Sequence, residues 1–143
     1  MNFERLYFLR ESLDLYQKDV AKILNINRQC YGAYETGIKI IPLKHLNTLC
    51  NFYNVSMDYI LSLTNDKNSS KNIDELSKNL IGNNIRMIRS KNNINQRELA
   101  KVLNTTHSNI SAYENGKTML LTAFAYQICK EYNVSLDWLC GRK

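Results

Sequence analysis

Two stretches of the 143-residue chain carry polar side chains of similar type in the same order. In the first, Gln17 is followed by Asn27, Arg28 and Gln29, then by Ala33 and, past a glycine, by Lys39. In the second, Gln96 is followed by Thr106, His107, Ser108 and Asn109, then by Ala112 and Lys117. A guanidinium at position 28 offers a fork of donors, which suits paired acceptors such as guanine O6 and N7. A carboxamide at 29 offers one donor and one acceptor, the pattern that the adenine edge complements. His107 and Ser108 either donate or accept and so discriminate less, while Ala33 and Ala112 offer only a methyl contact. Asn27, Thr106, Asn109, Lys39 and Lys117 have the chemistry to hold phosphate oxygens.

Such groups act together only if a rigid element presents them. Val20, Ala21, Ile23 and Leu24 recur at helical spacing, and Ala21, like Ala100 in the second stretch, is small enough for another helix to cross closely. Asn25 and Asn104 stand where a left-handed turn residue is needed, and Asn27 and Thr106 are suitable caps for a new helix. That helix is expected to end at Gly37 or Gly116. Two short helices with a tight turn between them make a helix-turn-helix. On the second helix, Tyr31 and Tyr34, or Ile110 and Tyr113, are three apart and face inward. Arg28, Gln29 and Ala33, or His107, Ser108 and Ala112, then share the outward face.

The two stretches belong to a longer repeat. A shift of 79 positions aligns Arg10 with Arg89, Gln17 with Gln96 and Ala33-Tyr34-Glu35 with Ala112-Tyr113-Glu114. Without a gap it continues to Tyr53-Asn54-Val55-Ser56 against Tyr132-Asn133-Val134-Ser135. The copies run over about residues 5 to 63 and 84 to 142. Flanking the helix-turn-helix, Leu6, Leu9 and Leu13 mark a first helix, matched by Ile85, Ile88 and, less completely, Asn92. Leu46, Leu49, Cys50 and Tyr53 mark a fourth, and Met57, Tyr59, Ile60 and Leu61 a fifth, with Ser56 and Ser135 as its N-caps. No segment alternates with period two, and 5 Gly with 1 Pro are few for a chain of many turns. The expected fold is all-α: a five-helix domain over 1–63, a linker with a short lead-in helix over 64–79, and a second five-helix domain over 80–143. Polar residues 64–72 form the linker. Ile73, Leu76, Leu80 and Ile81 resume helical spacing, with a break or bend expected at Gly82. Gly32, where the second copy has Ser111, reflects either a close backbone approach to a ligand or a tolerated defect.

Both copies resemble the Cro and lambda-type repressor domains, also called the xenobiotic-response-element (XRE) family. The resemblance rests on Gln-x-x-(Val/Leu)-Ala-x-x-Leu-Asn, on the Tyr-Glu-x-Gly that closes the third helix, and on Tyr-Asn-Val-Ser-x-Asp-(Tyr/Trp), and covers about 118 of 143 residues. It implies lambda-repressor-like domains that place the third helix in the DNA major groove. It also implies that Gln17 and Gln96 hold a phosphate and buttress that helix, and that Arg28, Gln29 and Ala33, with His107, Ser108 and Ala112, read bases. Arg10 with Glu35 and Arg89 with Glu114 are implied to be partly buried salt bridges.

Charge sharpens this picture. The formal +6 divides into +1 for residues 1 to 63, 0 for 64 to 83 and +5 for 84 to 143, so the second copy is expected to contribute more non-specific phosphate affinity. His45 and His107 are the only histidines, neither lies in a catalytic pattern with Ser or Cys, and Cys30, Cys50, Cys129 and Cys140 form no CxxC pair. No enzyme, metal site or cofactor is therefore expected, and the cysteines read as small buried hydrophobes. Without a long apolar run or a signal-like N-terminus, no membrane association is expected and the location is cytoplasmic. The expected function is a sequence-specific DNA-binding transcriptional regulator, as a repressor; the alternative is a protein-interaction module such as an antitoxin or anti-repressor. The expected partner is double-stranded DNA, met by a homodimer or by one chain as its own pseudo-dimer. A 16-residue tether reaches at most about 53 Å, and half-sites lie about 34 Å apart.

Overall fold

The apolar spacing resolves into ten helices, with no strand among the described residues. The structure is a computed structural model that describes residues 1–68 and 70–143; Ser69, within the expected linker, lies outside the described residues. The chain divides into two units, Met1–Asp74 and Glu75–Lys143, with five helices each. The first holds α1 (Glu4–Ser12), α2 (Gln17–Ile23), α3 (Arg28–Thr36), α4 (Leu43–Tyr53) and α5 (Met57–Ile60). The second holds α6 (Lys78–Lys91), α7 (Gln96–Val102), α8 (His107–Glu114), α9 (Thr122–Tyr132) and α10 (Leu136–Leu139).

Each unit closes around most of the predicted apolar stripes, although Leu13, just past α1, and Ile23 are exposed. Leu6, Val20, Tyr31, Leu46, Leu49, Met57 and Ile60 are buried in the first; Ile85, Leu99, Ile110, Ala125, Leu136 and Leu139 are buried in the second. Tyr34 and Tyr113 are also buried, so the inward face of α3 and of α8 is the one expected. Ala21 and Ala100, both buried, allow α2 to approach α3 and α7 to approach α8. Cys50, Cys129 and Cys140 are buried and Cys30 is partly exposed; all four are free thiols.

The turns are made by side chains with the required chemistry. Asn25 (φ 56°) and Asn104 (φ 53°) take the left-handed conformation between the paired helices. Asn27 Oδ1 accepts from Cys30 N at 2.7 Å to cap α3, and Thr106 Oγ1 accepts from Asn109 N at 3.2 Å to cap α8. Gly37 (φ 79°) ends α3; in the second unit Asn115 follows α8 and Gly116 (φ 70°) makes the corresponding turn. Ser56 and Ser135 cap α5 and α10 by accepting from Tyr59 N and Trp138 N.

Two expectations are corrected. Gly82 does not break the second unit's first helix: α6 runs through it without interruption. Its role is steric, since a Cβ there would lie 2.5 Å from Glu114 O and 2.6 Å from Tyr113 O, so α6 and the end of α8 touch backbone to backbone. The helix also starts at Lys78, capped by Ser77 Oγ, so Ile73 and Leu76 lie before it. Ile73 instead packs its backbone on α4, where its carbonyl accepts from Asn47 Nδ2 at 3.0 Å and Asn51 Nδ2 at 2.7 Å. Polar residues before it dock on the first unit as well, with Ser56 N donating to Lys67 O at 2.9 Å.

Candidate nucleic-acid interface

The same clamp fixes the outward face of α3 and of α8. In the first unit Arg10 Nε and Nη2 donate to Glu35 Oε2 and Oε1 at 2.8 and 3.0 Å, and Nη1 donates to Leu15 O at 2.8 Å. In the second, Arg89 Nε and Nη2 donate to Glu114 Oε2 and Oε1 at 2.6 and 2.7 Å, and Nη1 donates to Ile94 O at 3.2 Å. Each guanidinium thus ties the first helix of its unit to the third and to the loop before the second. The hydrogen bonds to Glu35 and Glu114 push both arginine pKa values further up, against the opposing effect of burial. With that side locked, the opposite face cannot roll away from solvent.

Arg28, Gln29, His107, Ser108 and Asn109 are all exposed in the first turns of α3 and α8. Ala33 and Ala112 lie one turn on, on the same faces, and are half-buried. Lys39 and Lys117 are exposed beyond the helices, and their backbone amides return to Ala33 O at 3.1 Å and Ala112 O at 3.0 Å. Asn27 and Thr106 are exposed while capping. Asn109 Nδ2 donates to Thr105 Oγ1 at 2.8 Å.

Gln17 and Gln96 behave differently. Gln17 Oε1 accepts from Arg28 Nη1 at 3.1 Å, so it steadies a side chain at the start of α3. It can do so because residue 32 is glycine: a Cβ there would lie 3.1 Å from the same oxygen, tighter than an ordinary contact. The close approach at Gly32 is therefore to Gln17. The second copy has Ser111 at that place, and Gln96 Nε2 turns instead to Glu114 Oε1 at 3.2 Å.

Around Gln17 lies a depression of about 430 Å³ lined by Arg10, Tyr16, Gln17, Lys18 and Arg28. No carboxylate lines it, and since Arg10 is already paired with Glu35, Lys18 and Arg28 are the cations that favour an anion such as a phosphate there. Lys18 and Tyr16 were not among the sequence candidates, although the repeat held a signal: a cation follows the glutamine in both copies, as Gln17-Lys18 and Gln96-Arg97. Arg86 was also missed. Its Nη2 donates to Asn115 Oδ1 at 2.8 Å and its Nε lies 3.5 Å from Glu114 Oε1, placing a half-exposed cation beside the end of α8. Nothing at its counterpart, Tyr7, would have suggested it.

Comparison with known proteins agrees with this geometry. A helix-turn-helix profile matches residues 6–60, and a helix-turn-helix domain profile matches residues 82–142. An uncharacterised HTH-type transcriptional regulator of Bacillus subtilis, YobD, is 40% identical over 78 residues, covering 52% of this chain and 70% of that protein. The chain belongs to the XRE-like helix-turn-helix transcriptional regulators. The SPbeta prophage-derived regulator YonR of B. subtilis is 43% identical over 61 residues, 43% of this chain and 56% of that protein. The antitoxin PezA of Streptococcus pneumoniae is 34% identical over 62 residues, 43% of this chain and 39% of PezA. No solved structure matches. As a member of this family the chain holds two helix-turn-helix domains, one in each unit. No helix among the described residues is long and apolar enough to cross a membrane.

Proposed function

We propose that the chain is a sequence-specific DNA-binding transcriptional regulator, acting as a repressor in the cytoplasm, that lays α3, α8 or both in the major groove. The observation that carries this reading is the exposed first turn of α3, where Arg28 is held by Gln17 beside a cationic depression. Arg28 pairs with guanine and Gln29 with adenine, each good pair worth about 1–3 kcal/mol of discrimination. Gln17 and Lys18 receive a phosphate in the depression, while Asn27 Nδ2 and Lys39 take neighbouring phosphates. In the second unit His107, Ser108 and Ala112 read less sharply, and Gln96, Thr106, Asn109 and Lys117 grip the backbone. The division of labour follows the charges, +1 in the first copy and +5 in the second.

The two reading faces differ at nearly every outward position, so one chain acts as its own pseudo-dimer on an asymmetric operator. Selection of bound duplexes from a genomic fragment library tests the function. The expected product is a salt-sensitive complex on an asymmetric site with one chain per duplex. A perfect palindrome holding two chains would replace the pseudo-dimer with a homodimer. Failure to enrich any duplex would replace DNA binding with a protein-interaction role.

A further inference from the structure

The polar stretch between the two copies is held to the first unit at several points. Arg5 Nη1 donates to Thr64 O at 2.5 Å and Nη2 to Asn65 Oδ1 at 2.7 Å. Ser56 N donates to Lys67 O at 2.9 Å, Ser56 Oγ to Asp66 O at 3.2 Å and Ser70 Oγ to Val55 O at 3.5 Å. The Lys67 ammonium sits 5.5 Å from the centre of the Tyr59 ring. The final hold is a pin. Asn47 and Asn51, one turn apart on α4, both donate from Nδ2 to Ile73 O, at 3.0 and 2.7 Å. A carbonyl oxygen has two lone pairs, so a single peptide group engages both carboxamides. Asn47 is buried, and water competes little for its bond.

The repeat shows that this pin is not part of the common framework. The 79-residue shift puts Tyr126 and Lys130 at the two positions on α9, and there the ammonium lies 5.6 Å from the ring instead. The asparagine pair therefore belongs to the unit that precedes the tether. Past Ile73 only Asp74, Glu75, Leu76 and Ser77 remain before α6, whose first turn Ser77 Oγ caps. Four residues reach at most about 13 Å at about 3.3 Å each, whereas a released segment 65–77 reaches about 43 Å. The anchoring thus removes roughly 30 Å of reach, close to the 34 Å or so between half-sites. It also raises the effective concentration of the second unit about sixfold, since that quantity falls as the −3/2 power of tether length.

We propose that Asn47 and Asn51 are positioning residues for operator recognition: by pinning Ile73 to α4 they shorten the free tether to four residues and so set the half-site spacing that one chain accepts. The inference rests on the pseudo-dimer reading above, in which both units engage one duplex. The asparagines touch no DNA in this scheme and act only through the length of free chain.

Two altered chains test it. Asn47→Ala with Asn51→Ala removes the pin. Insertion of nine Gly and Ser residues after Asp74 keeps the pin but restores the long tether, at a point where Asp74 and Glu75 are both exposed. Affinity is measured for the selected duplex, for each of its half-sites alone, and for the duplex with one helical turn of about 10 bp inserted between them. Both altered chains should bind the selected duplex about sixfold more weakly, bind each half-site as the unmodified chain does, and discriminate less against the inserted turn. Limited trypsin digestion reads the pin without DNA: cleavage after Lys67 and Lys71 should quicken at least about fivefold in the double alanine variant, at unchanged melting, and stay unchanged in the insertion variant. Unchanged affinity of the insertion variant for the selected duplex, or unchanged cleavage of the double variant, would overturn the proposal while leaving the pseudo-dimer standing. Weakened binding of the double variant to a single half-site would overturn it too, by assigning the asparagines to the fold of the first unit. A half-site bound as tightly as the whole duplex would overturn the pseudo-dimer reading itself, and the proposal with it.

Discussion

Gly82→Ala places two known effects in opposition. In the middle of a helix such as α6, alanine is favoured over glycine by about 0.8–1.0 kcal/mol. Against this, the new methyl would lie 2.5 Å from Glu114 O and 2.6 Å from Tyr113 O. Carbon to carbonyl-oxygen contacts settle at about 3.3–3.6 Å, so α6 has to move from α8 by roughly 0.8 Å. Both obstacles are backbone atoms, which cannot rotate aside as a side chain can. Overpacking of this kind costs about 1–3 kcal/mol, and the same displacement stretches the Arg89–Glu114 pair from its 2.6 and 2.7 Å contacts. The steric effect, with the stretched ion pair added to it, outweighs the propensity gain and leaves a net loss of up to about 2 kcal/mol in the second unit. For a unit of this size each kcal/mol lowers Tm by about 4–8 °C. Trp138 lies in the second unit, so its fluorescence during thermal unfolding follows that unit alone. An unchanged or raised midpoint would refute the contact between α6 and α8 that sets the position of the second reading helix.

Other perturbations separate architecture from recognition. Glu114→Gln leaves Arg89 without its anionic partner and should cost the second unit about 3 kcal/mol, read by the same fluorescence transition. Arg28→Ala and Gln29→Ala should each flatten the base preference at one operator position by about 1–3 kcal/mol, measured with single-substitution duplexes. Lys117→Ala should weaken binding to all duplexes alike and reduce the salt slope by about 1. Burial, and then the Lys44 ammonium, hold the His45 pKa below its ordinary 6.5. The folded unit thus takes up this proton less readily than the unfolded chain. The contribution of neutral His45 is complete above about 6.5 and is lost as pH falls through the lower folded value. The first unit should lose stability on acidification, and His45→Gln should reduce that loss in urea titrations followed by tyrosine fluorescence.

Much of the framework was legible because it is local. Asn25 and Asn104 announce left-handed turns, Asn27, Thr106, Ser56 and Ser135 announce caps, and the spacing of Tyr31 with Tyr34 fixes which side of α3 faces outward. The long-range Arg–Glu pairs were implied by the family resemblance, at positions that the repeat shows twice. What remained hidden depends on approach between distant segments. Gly82 resembles a helix breaker until the carbonyls of Tyr113 and Glu114 are seen beside it, and Gly32 is explained only by the Gln17 oxygen packed on it. The polar residues 64–72 read as a free tether, yet Asp66 and Lys67, and Ile73 after the linker, dock on the first unit through their carbonyls, which composition does not register. Arg142 gave no signal either: where the first copy has Leu63, this buried guanidinium donates to Asp137 Oδ1 at 3.3 Å.

The central claim is that the outward face of α3 reads DNA while cations beside it hold the phosphates. Its most direct measurement is the dissociation constant of the selected duplex against salt concentration, for the unmodified chain and for Arg28→Ala. Log affinity should fall linearly with log salt, with a slope of about −0.9 for each phosphate neutralised. Arg28→Ala should lose its preference for the selected duplex over one altered at the guanine. Binding that ignores salt, or an Arg28→Ala protein with its preference intact, would contradict it.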